Sequence, residues 1–249
     1  MTPDFIFIIP YRNREKQKEI FEEKMKIVLE DISEDKYKIF FIHQKDDRDF
    51  NRGAMKNIGF LYVKSIYPEH YKDITLVFND IDTVPNNKNM FDYSTTQGTI
   101  KHFYGCQIAL GGIFSINAAD FEYINGFPNF WTWGYEDNLI QERALLCNFK
   151  IDRSHFYSLM NENINHDFSD GYFRYVNKND YLLYLNKTSN GIHSISQLSY
   201  EFDPDIHFVN VTQFQVPNVK SATQKMDLRI TNTPFQSIKN GSMPMHFFS

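Results

Sequence analysis

Three apolar runs lie within roughly the first eighty residues, and each is followed by a polar cluster. That arrangement limits the possible folds more than any other feature of the chain. The runs are "DFIFIIP", "YKIFFIH" and "ITLVFND". Their length and their richness in Ile, Val and Phe read as buried strands, the first stopped by Pro10. Between the first two runs lies "EKQKEIFEEKMKIVLEDI", with Ile20, Met25, Val28 and Leu29 on one side and charges elsewhere, which predicts an amphipathic helix. Between the second and third lies "NRGAMKNIGFLYVKSIY", helical in pattern, with Asn51 as its cap. Strand, helix, strand, helix, strand implies right-handed crossovers and a parallel sheet. The fold class expected is therefore α/β, with a mainly parallel central sheet and flanking helices.

The polar clusters then acquire a common address. Arg12-Asn13-Arg14 follows the first strand, residues 46–52 follow the second, and Asp80-Ile81-Asp82 follows the third. In open α/β sheets ligands bind beyond the carboxyl ends of the strands. Composition narrows the classes further. Hydrophobic residues make up 42% of the 249, with 24 Phe and 15 Tyr, which excludes a disordered chain. A net charge of −5 with no basic block argues against nucleic acid as a partner. No apolar run reaches the length of a membrane span. Cys106 and Cys147 lack metal-ligand spacing and read as free thiols. Three Asn-x-Ser/Thr sites, at Asn186, Asn210 and Asn240, matter only in a secretory pathway.

Beyond residue 98 the character changes. "IALGGIFSINAADFEYINGF" carries a Gly111-Gly112 turn, and "PNFWTWGYEDNLIQERALL" brings both tryptophans close to Glu136-Asp137, with a helix starting near Asp137 or Asn138. Residues 160–180 read as a polar and aromatic loop, "FDPDIHFVNVTQFQV" alternates like an edge strand, and the tail from Pro217 has no clear pattern.

Two carboxylates one residue apart at a strand end repel each other and need a positive partner. A divalent cation carrying a nucleotide diphosphate meets that need, with arginines on the remaining phosphate oxygens. The bland reading is a solvated Asp-x-Asp. In "WTWGYEDN" an aromatic face beside carboxylates suits a sugar; alternatively, the tryptophans are core and the acids charge a helix's first turn. His166 in "NENINHDF" is either a surface residue or a metal ligand.

Together, "IIPYRNRE", "FNRGAMKNIGF", "FNDIDTVP" and "GGIFSINAADFEYINGFPNFWTWGYEDN" resemble the β-1,4-galactosyltransferase family, inverting glycosyltransferases of the GT-A fold (family 7), in order and approximate spacing. The likeness runs from about residue 5 to residue 216. It implies a donor site for uridine diphosphate at Pro10, Arg12, Arg14, Phe50 and Arg52, with Asp80 on the ribose, Ala109 and Gly112 by the donor sugar, and Trp133 on a small loop closing over it. It implies Mn²⁺ held by Asp82 and His166, with Mg²⁺ as the alternative; imidazole favours Mn²⁺. It implies Asp137 as general base, with its neighbour Glu136 also in the catalytic pair. Acceptor contacts fall on Trp133, Tyr135, Glu136, Asn138 and Tyr172.

Departures accompany the matches. Asn163 stands where the family has a metal-ligating methionine, so an amide oxygen or water would be the third ligand. Asn138 replaces an aspartate and Tyr135 a glycine. Ala109 replaces a tyrosine whose bulk favours galactose, which leaves room for an N-acetyl group. The family's acceptor N-acetyl pocket is not recognisable around Tyr172 to Tyr175, and the cysteines of secretory members are missing.

The resemblance thus implies a metal-dependent β-glycosyltransferase. It would move a hexose or N-acetylhexosamine, with galactose or N-acetylgalactosamine foremost, from a UDP-sugar to a glycan or glycoconjugate hydroxyl. A catalytically degenerate UDP-sugar or glycan-binding protein is the alternative. A two-carboxylate hydrolase is disfavoured because adjacent side chains diverge. The expected organisation is one catalytic domain over 1–216, with a nucleotide-binding half at 1–98 and an acceptor and lid half at 99–216, then an extension at 217–249. A full-length chain would be cytoplasmic; one trimmed of an anchor would belong in the Golgi lumen.

Overall fold

The computed structural model describes residues 2–169, 173–185, 189–218 and 223–227. In chain order the elements are β1 (Phe5–Tyr11), α1 (Glu15–Val28), β2 (Tyr37–Gln44), α2 (Arg52–Ile66), β3 (Thr75–Asn79), β4 (Thr83–Pro85), β5 (Thr99–Gly105), β6 (Ile113–Asn117), α3 (Ala118–Tyr123) and α4 (Glu136–Leu146). They continue with β7 (Lys150–Asp152), β8 (Tyr157–Ser158), β9 (Ile164–His166), β10 (Phe173–Val176), α5 (Lys178–Tyr184), β11 (Ser196–Asp203), β12 (Phe208–Gln215) and β13 (Gln224–Asp227).

The main sheet runs β11-β12-β2-β1-β3-β6-β5-β7, with β8 also on β5. β12, β2, β1 and β3 are mutually parallel, while β6 is antiparallel to β3 and β5, and β11 to β12. The sheet is thus mixed and mostly parallel, in keeping with the α/β expectation. β1 is buried along its whole length. Its alternating side chains divide between two cores: Ile6 and Ile8 pack with α2 on one face, and Phe5, Phe7 and Ile9 pack with α1 on the other.

Several sequence expectations are corrected. Pro10 lies inside β1, paired with Ile42, rather than ending it. β3 pairs with β1 only as far as Ile8↔Phe78, so the missing N–H falls where one neighbour has already left. The buried stripe of α1 is Gln17, Phe21, Met25 and Val28; Ile20 is off it. The "FDPDIHFVNVTQFQV" stretch takes in the end of β11, a turn and β12, and β12 is interior rather than an edge because β11 covers its outer side. Residues 160–180 are not all loop: β9 pairs with β4, β10 pairs with β13, and α5 follows. β13 also gives the tail a described strand. Of the two readings left open for the tryptophans, Trp131 follows the packed one: half-buried, stacked on Phe214 at 5.6 Å, with its indole N–H donated to the Asn218 carbonyl at 2.7 Å. Among the described residues no helix is long and apolar enough to cross a membrane, and both cysteines are free.

Candidate active site

Because β1, β2 and β3 are parallel, their three polar clusters reach one edge of the sheet. At the end of β3, the Asn79 amide donates to the carbonyls of Asp80 (2.8 Å) and Thr83 (2.7 Å), folding the chain into a tight turn. The Asp80 N–H donates to the Gly112 carbonyl at 3.1 Å. The chain then enters β4, whose antiparallel pairing with β9 sets His166 opposite Thr83. His166 Nε2 comes within 3.8 Å of Asp82 Oδ1, and its Nδ1 lies 2.8 Å from Tyr104 Oη. A polar partner on the far ring nitrogen is the usual way a ligating histidine is oriented.

The second wall is α2. Asn51 caps it, as expected, accepting from the Ala54 N–H at 2.9 Å. Arg52 and Lys56, one turn apart, share a face. Arg52 Nη2 sits 2.7 Å from Asp80 Oδ2, and its Nε lies 3.8 Å from Glu136 Oε1. Lys56 Nζ sits 3.0 Å from Asp137 Oδ1 and 3.9 Å from Asp80 Oδ1. α4 supplies the two acids at its first residues, so its dipole favours their charge.

The third wall is the 106–112 loop. The Leu110 N–H donates to the Asp137 carbonyl at 2.9 Å, and the Asn138 amide donates to the Ile108 carbonyl at 2.8 Å. Gly111 lies so close to Asp137 that a Cβ there would sit 2.5 Å from Asp137 Oδ2. Gly112, at φ +74, takes a conformation suited to glycine. Below, His102 Nε2 reaches the Gly111 carbonyl at 3.0 Å while Arg153 Nε donates to its Nδ1 at 3.1 Å. Burial, reinforced by Arg153, holds that imidazole neutral, down to about 3.

At the centre of this edge Arg52 and Lys56 thus lie among Asp80, Glu136 and Asp137, with Asp82 and His166 beside them. Burial pushes Glu136 up to about 7, with Asp137 adding to the rise and Arg52 and Lys56 opposing it. Neither Glu136 oxygen has a hydrogen-bond partner among the described residues, and Asp80 Oδ1 is in the same position. Burial also raises Asp80, but Arg52 and then Lys56 outweigh it, so its carboxyl is held below the usual range. Burial and the Asp80 charge push Asp82 up. Burial pulls Arg52 down, but Asp80, Glu136 and Asp137 more than restore its charge. Burial lowers His166, against the pull of Asp82 and Asp80. Among the described residues, no three His, Cys, Asp or Glu side chains converge as a complete metal cage.

The remaining candidates are more peripheral. Arg12 donates to the Arg48 carbonyl, and Arg14 donates to the Asn13 carbonyl at 3.2 Å. Phe50 packs half-buried against the core beside the α2 cap. Ala109 is buried. Trp133 lies partly buried under the Arg174 guanidinium at 5.7 Å. Tyr135 enters α4 at φ +69, with its ring buried and stacked on Tyr181 at 5.0 Å. The Asn163 amide donates to Asn161 Oδ1 at 3.1 Å. Tyr172 lies outside the described residues. Sequence reasoning gave no role to Lys56 or Tyr104 and read Gly111 only as part of a turn. The spacing of four between Arg52 and Lys56 indicates a shared helix face but not burial.

Residues 3–94 match the N-terminal region of glycosyl transferase group 7, and residues 94–167 match the N-terminal domain of galactosyltransferase. The chain belongs to glycosyl transferase group 7. Mouse β-1,4-galactosyltransferase 4 is 32% identical over 157 residues, 59% of this chain and 44% of that protein. Human β-1,4-galactosyltransferase 1 is 31% identical over 156 residues, 59% of this chain and 38% of that protein. The matched part therefore spans less than half the length of these relatives. Among solved structures, the catalytic domain of Drosophila β1,4-galactosyltransferase 7 in complex with xylobiose superposes with a TM-score of 0.67 at 18% identity, covering 88% of this chain and 96% of that one. A mutant of that enzyme in complex with manganese, UDP-Gal and xylobiose gives 0.64 at 17% identity, with the same coverage. The fold of this group 7 chain is accordingly GT-A.

Proposed function

We propose that this chain is a metal-dependent inverting glycosyltransferase that moves a hexose or N-acetylhexosamine from a UDP-sugar to a carbohydrate hydroxyl, forming a β-linkage. The observation that carries this reading is the meeting of two acidic centres at one sheet edge. Asp82 lies with His166 on one side, and Glu136 and Asp137 lie on the other, with Asp80, Arg52 and Lys56 between them.

The donor set fits a divalent cation. Asp82 and Asp80 lie close together there, and with its proton placed on Nδ1 beside the Tyr104 hydroxyl, His166 would offer the Nε2 lone pair on the Asp82 side. Asp82 and His166 would hold Mn²⁺ in preference to Mg²⁺, because imidazole suits the softer ion. Asn163 or water would be a further ligand, and the diphosphate would complete the shell. When bound, the cation supplies charge neutralisation for the departing UDP.

The chain's own residues do the rest. Arg12, Arg14, Phe50 and Arg52 hold the nucleotide beside Pro10, and Asp80 meets the ribose. Ala109 and Gly112 leave space for the donor sugar, enough for an acetamido group. Trp133 covers that sugar, and with Glu136 and Asn138 frames the acceptor, while Tyr135, its ring stacked on Tyr181, backs that wall. Asp137 takes the proton from the acceptor hydroxyl as its oxygen bonds to the anomeric carbon; the bond to the UDP oxygen breaks on the opposite face, and the configuration inverts. The loop at Trp133 would exclude water from the donor sugar. Residues 1–98 form the donor half and 99–216 the acceptor half.

A second reading, a UDP-sugar-binding protein without turnover, draws support from Asn138, whose amide is spent on the Ile108 carbonyl, and from Asn163, whose amide engages Asn161. The experiment measures UDP release from a panel of UDP-sugars with a carbohydrate acceptor panel, in Mn²⁺ and in chelator. Chelator-sensitive release from one sugar is expected, with Asp137→Asn keeping UDP binding and losing at least about a hundredfold in transfer. UDP binding without turnover against every acceptor would favour the second reading. Full transfer by Asp137→Asn would remove the base assignment.

A further inference from the structure

We propose that Lys56 is a positioning residue of the transfer reaction: its buried ammonium fixes Asp137 against Asp80 and so sets the base relative to the donor. The inference rests on the function proposed above, and nothing in the sequence reading or the comparisons assigns Lys56 a role.

Lys56 is 1% exposed, in a stretch of α2 where every residue from Gly53 to Phe60 is buried. A residue placed there for packing alone would be apolar, because burying an ammonium is strongly unfavourable without partners. The partners are specific. Nζ lies 3.0 Å from Asp137 Oδ1 and 3.9 Å from Asp80 Oδ1, and it sits over the Phe127 ring at 4.4 Å from the centroid. The ring face adds attraction without competing for a proton.

Arg52 and Lys56, the α2 cations at this site, divide the acids between them. Arg52 takes Asp80 and Glu136; Lys56 takes Asp137 and Asp80. Asp80 is common to both, so Lys56 is the link from the donor side to Asp137. The opposite side of Asp137 is closed by Gly111, against which Oδ2 packs. The ammonium and the glycine thus bound the carboxylate on Oδ1 and Oδ2. Without the ammonium, Asp80 and Glu136 keep their contacts to Arg52 while Asp137 loses its 3.0 Å partner, and repulsion from the other two acids displaces it. A displacement of about 1 Å is enough to lower transfer by roughly a hundredfold.

The test is a double-mutant cycle of Lys56→Met and Asp137→Asn, read in two ways on the full chain. Urea unfolding reports the pairing independently of turnover. Lys56→Met alone is expected to lower the midpoint, and adding Asp137→Asn to restore part of it, because the uncompensated carboxylate is gone. Transfer from the best UDP-sugar is expected to fall at least about a hundredfold in Lys56→Met, with the affinity for UDP in Mn²⁺ within about threefold of the parent; in the Asp137→Asn background Lys56→Met should change transfer by less than about threefold. Should Lys56→Met fail to fold, Lys56→Gln, which keeps a donor without the charge, takes its place in both readouts. Additive unfolding effects would overturn the pairing. Coupled unfolding with unchanged transfer would overturn the positioning role and leave a structural ion pair. Coupled unfolding in a parent chain that transfers from no sugar would overturn the catalytic reading itself, a different failure from either of these.

Discussion

Asn138 is buried, and its side-chain N–H answers the Ile108 carbonyl. An aspartate could not make that bond and would add a third carboxylate beside Glu136 and Asp137, so the departure from the family pattern has a local cause. Glu136 carries the same electrostatic pressure in measurable form. Its proton is held up to about 7 in the fold against an ordinary 4.5. A carboxyl with a raised native value favours folding fully below its unfolded value, and this contribution is lost as pH rises through the native one. The stability of Glu136→Gln relative to the parent is therefore expected to increase between about pH 4.5 and pH 7, then level, by an amount on the order of 3 kcal/mol. Urea titrations at several pH values, in chelator, would check this. The residues legible in advance were those whose side-chain type is itself the chemistry: Asp80, Asp82, Glu136, Asp137 and His166. Lys56 was not legible, since a lysine in a helical pattern reads as solvated, and only the packing of α2 between the sheet and the 127–131 segment buries it. Tyr104 was hidden for the opposite reason: an aromatic in a strand reads as core, and only the β4–β9 pairing brings His166 to its hydroxyl.

At the scale of elements, α2 carries Arg52 and Lys56, the cations at the centre of the site. Its N-terminus is fixed by Asn51, whose amide also donates to the Asn129 carbonyl at 3.0 Å, and by Gly53. A Cβ on Gly53 would lie 2.0 Å from the Pro128 carbonyl oxygen, a backbone atom that cannot turn aside. Alanine ordinarily gains about 1 kcal/mol over glycine in a helix. Here the clash is expected to outweigh that gain, so Gly53→Ala should destabilise by about 1–3 kcal/mol and weaken UDP binding through the shift of Arg52. Thermal unfolding and a UDP titration would measure the two effects. The strands β1 to β3 and the helices between them were legible because each has a long pattern of one period. β9 and β10 were not: at 3 and 4 residues they are too short to show a period, and each is defined by a distant partner. The position of β12 was misread because alternation reports one buried face and cannot say whether another strand covers the outer side.

For the whole molecule, a site where burial and the Asp80 charge work against the Asp82 carboxylate should be relieved by its cation. Saturating Mn²⁺ with UDP is expected to raise the unfolding temperature, corresponding to about 2.7 kcal/mol at a hundredfold excess over the dissociation constant. Chelator should reverse the rise and Asp82→Ala abolish it; an equal rise in that variant would move the metal elsewhere. The order of the sheet has a consequence of a different kind. β12 lies beside β2, although residues 208–215 follow residues 37–44 by more than half the chain. On a ribosome adding about 5–20 residues per second, β2 would wait roughly ten to thirty seconds for its neighbour. Throughout that interval "YKIFFIH" presents an unpaired, apolar strand edge. The nascent chain is therefore most exposed to aggregation, and most in need of a chaperone, while the half that would bind the donor is already made.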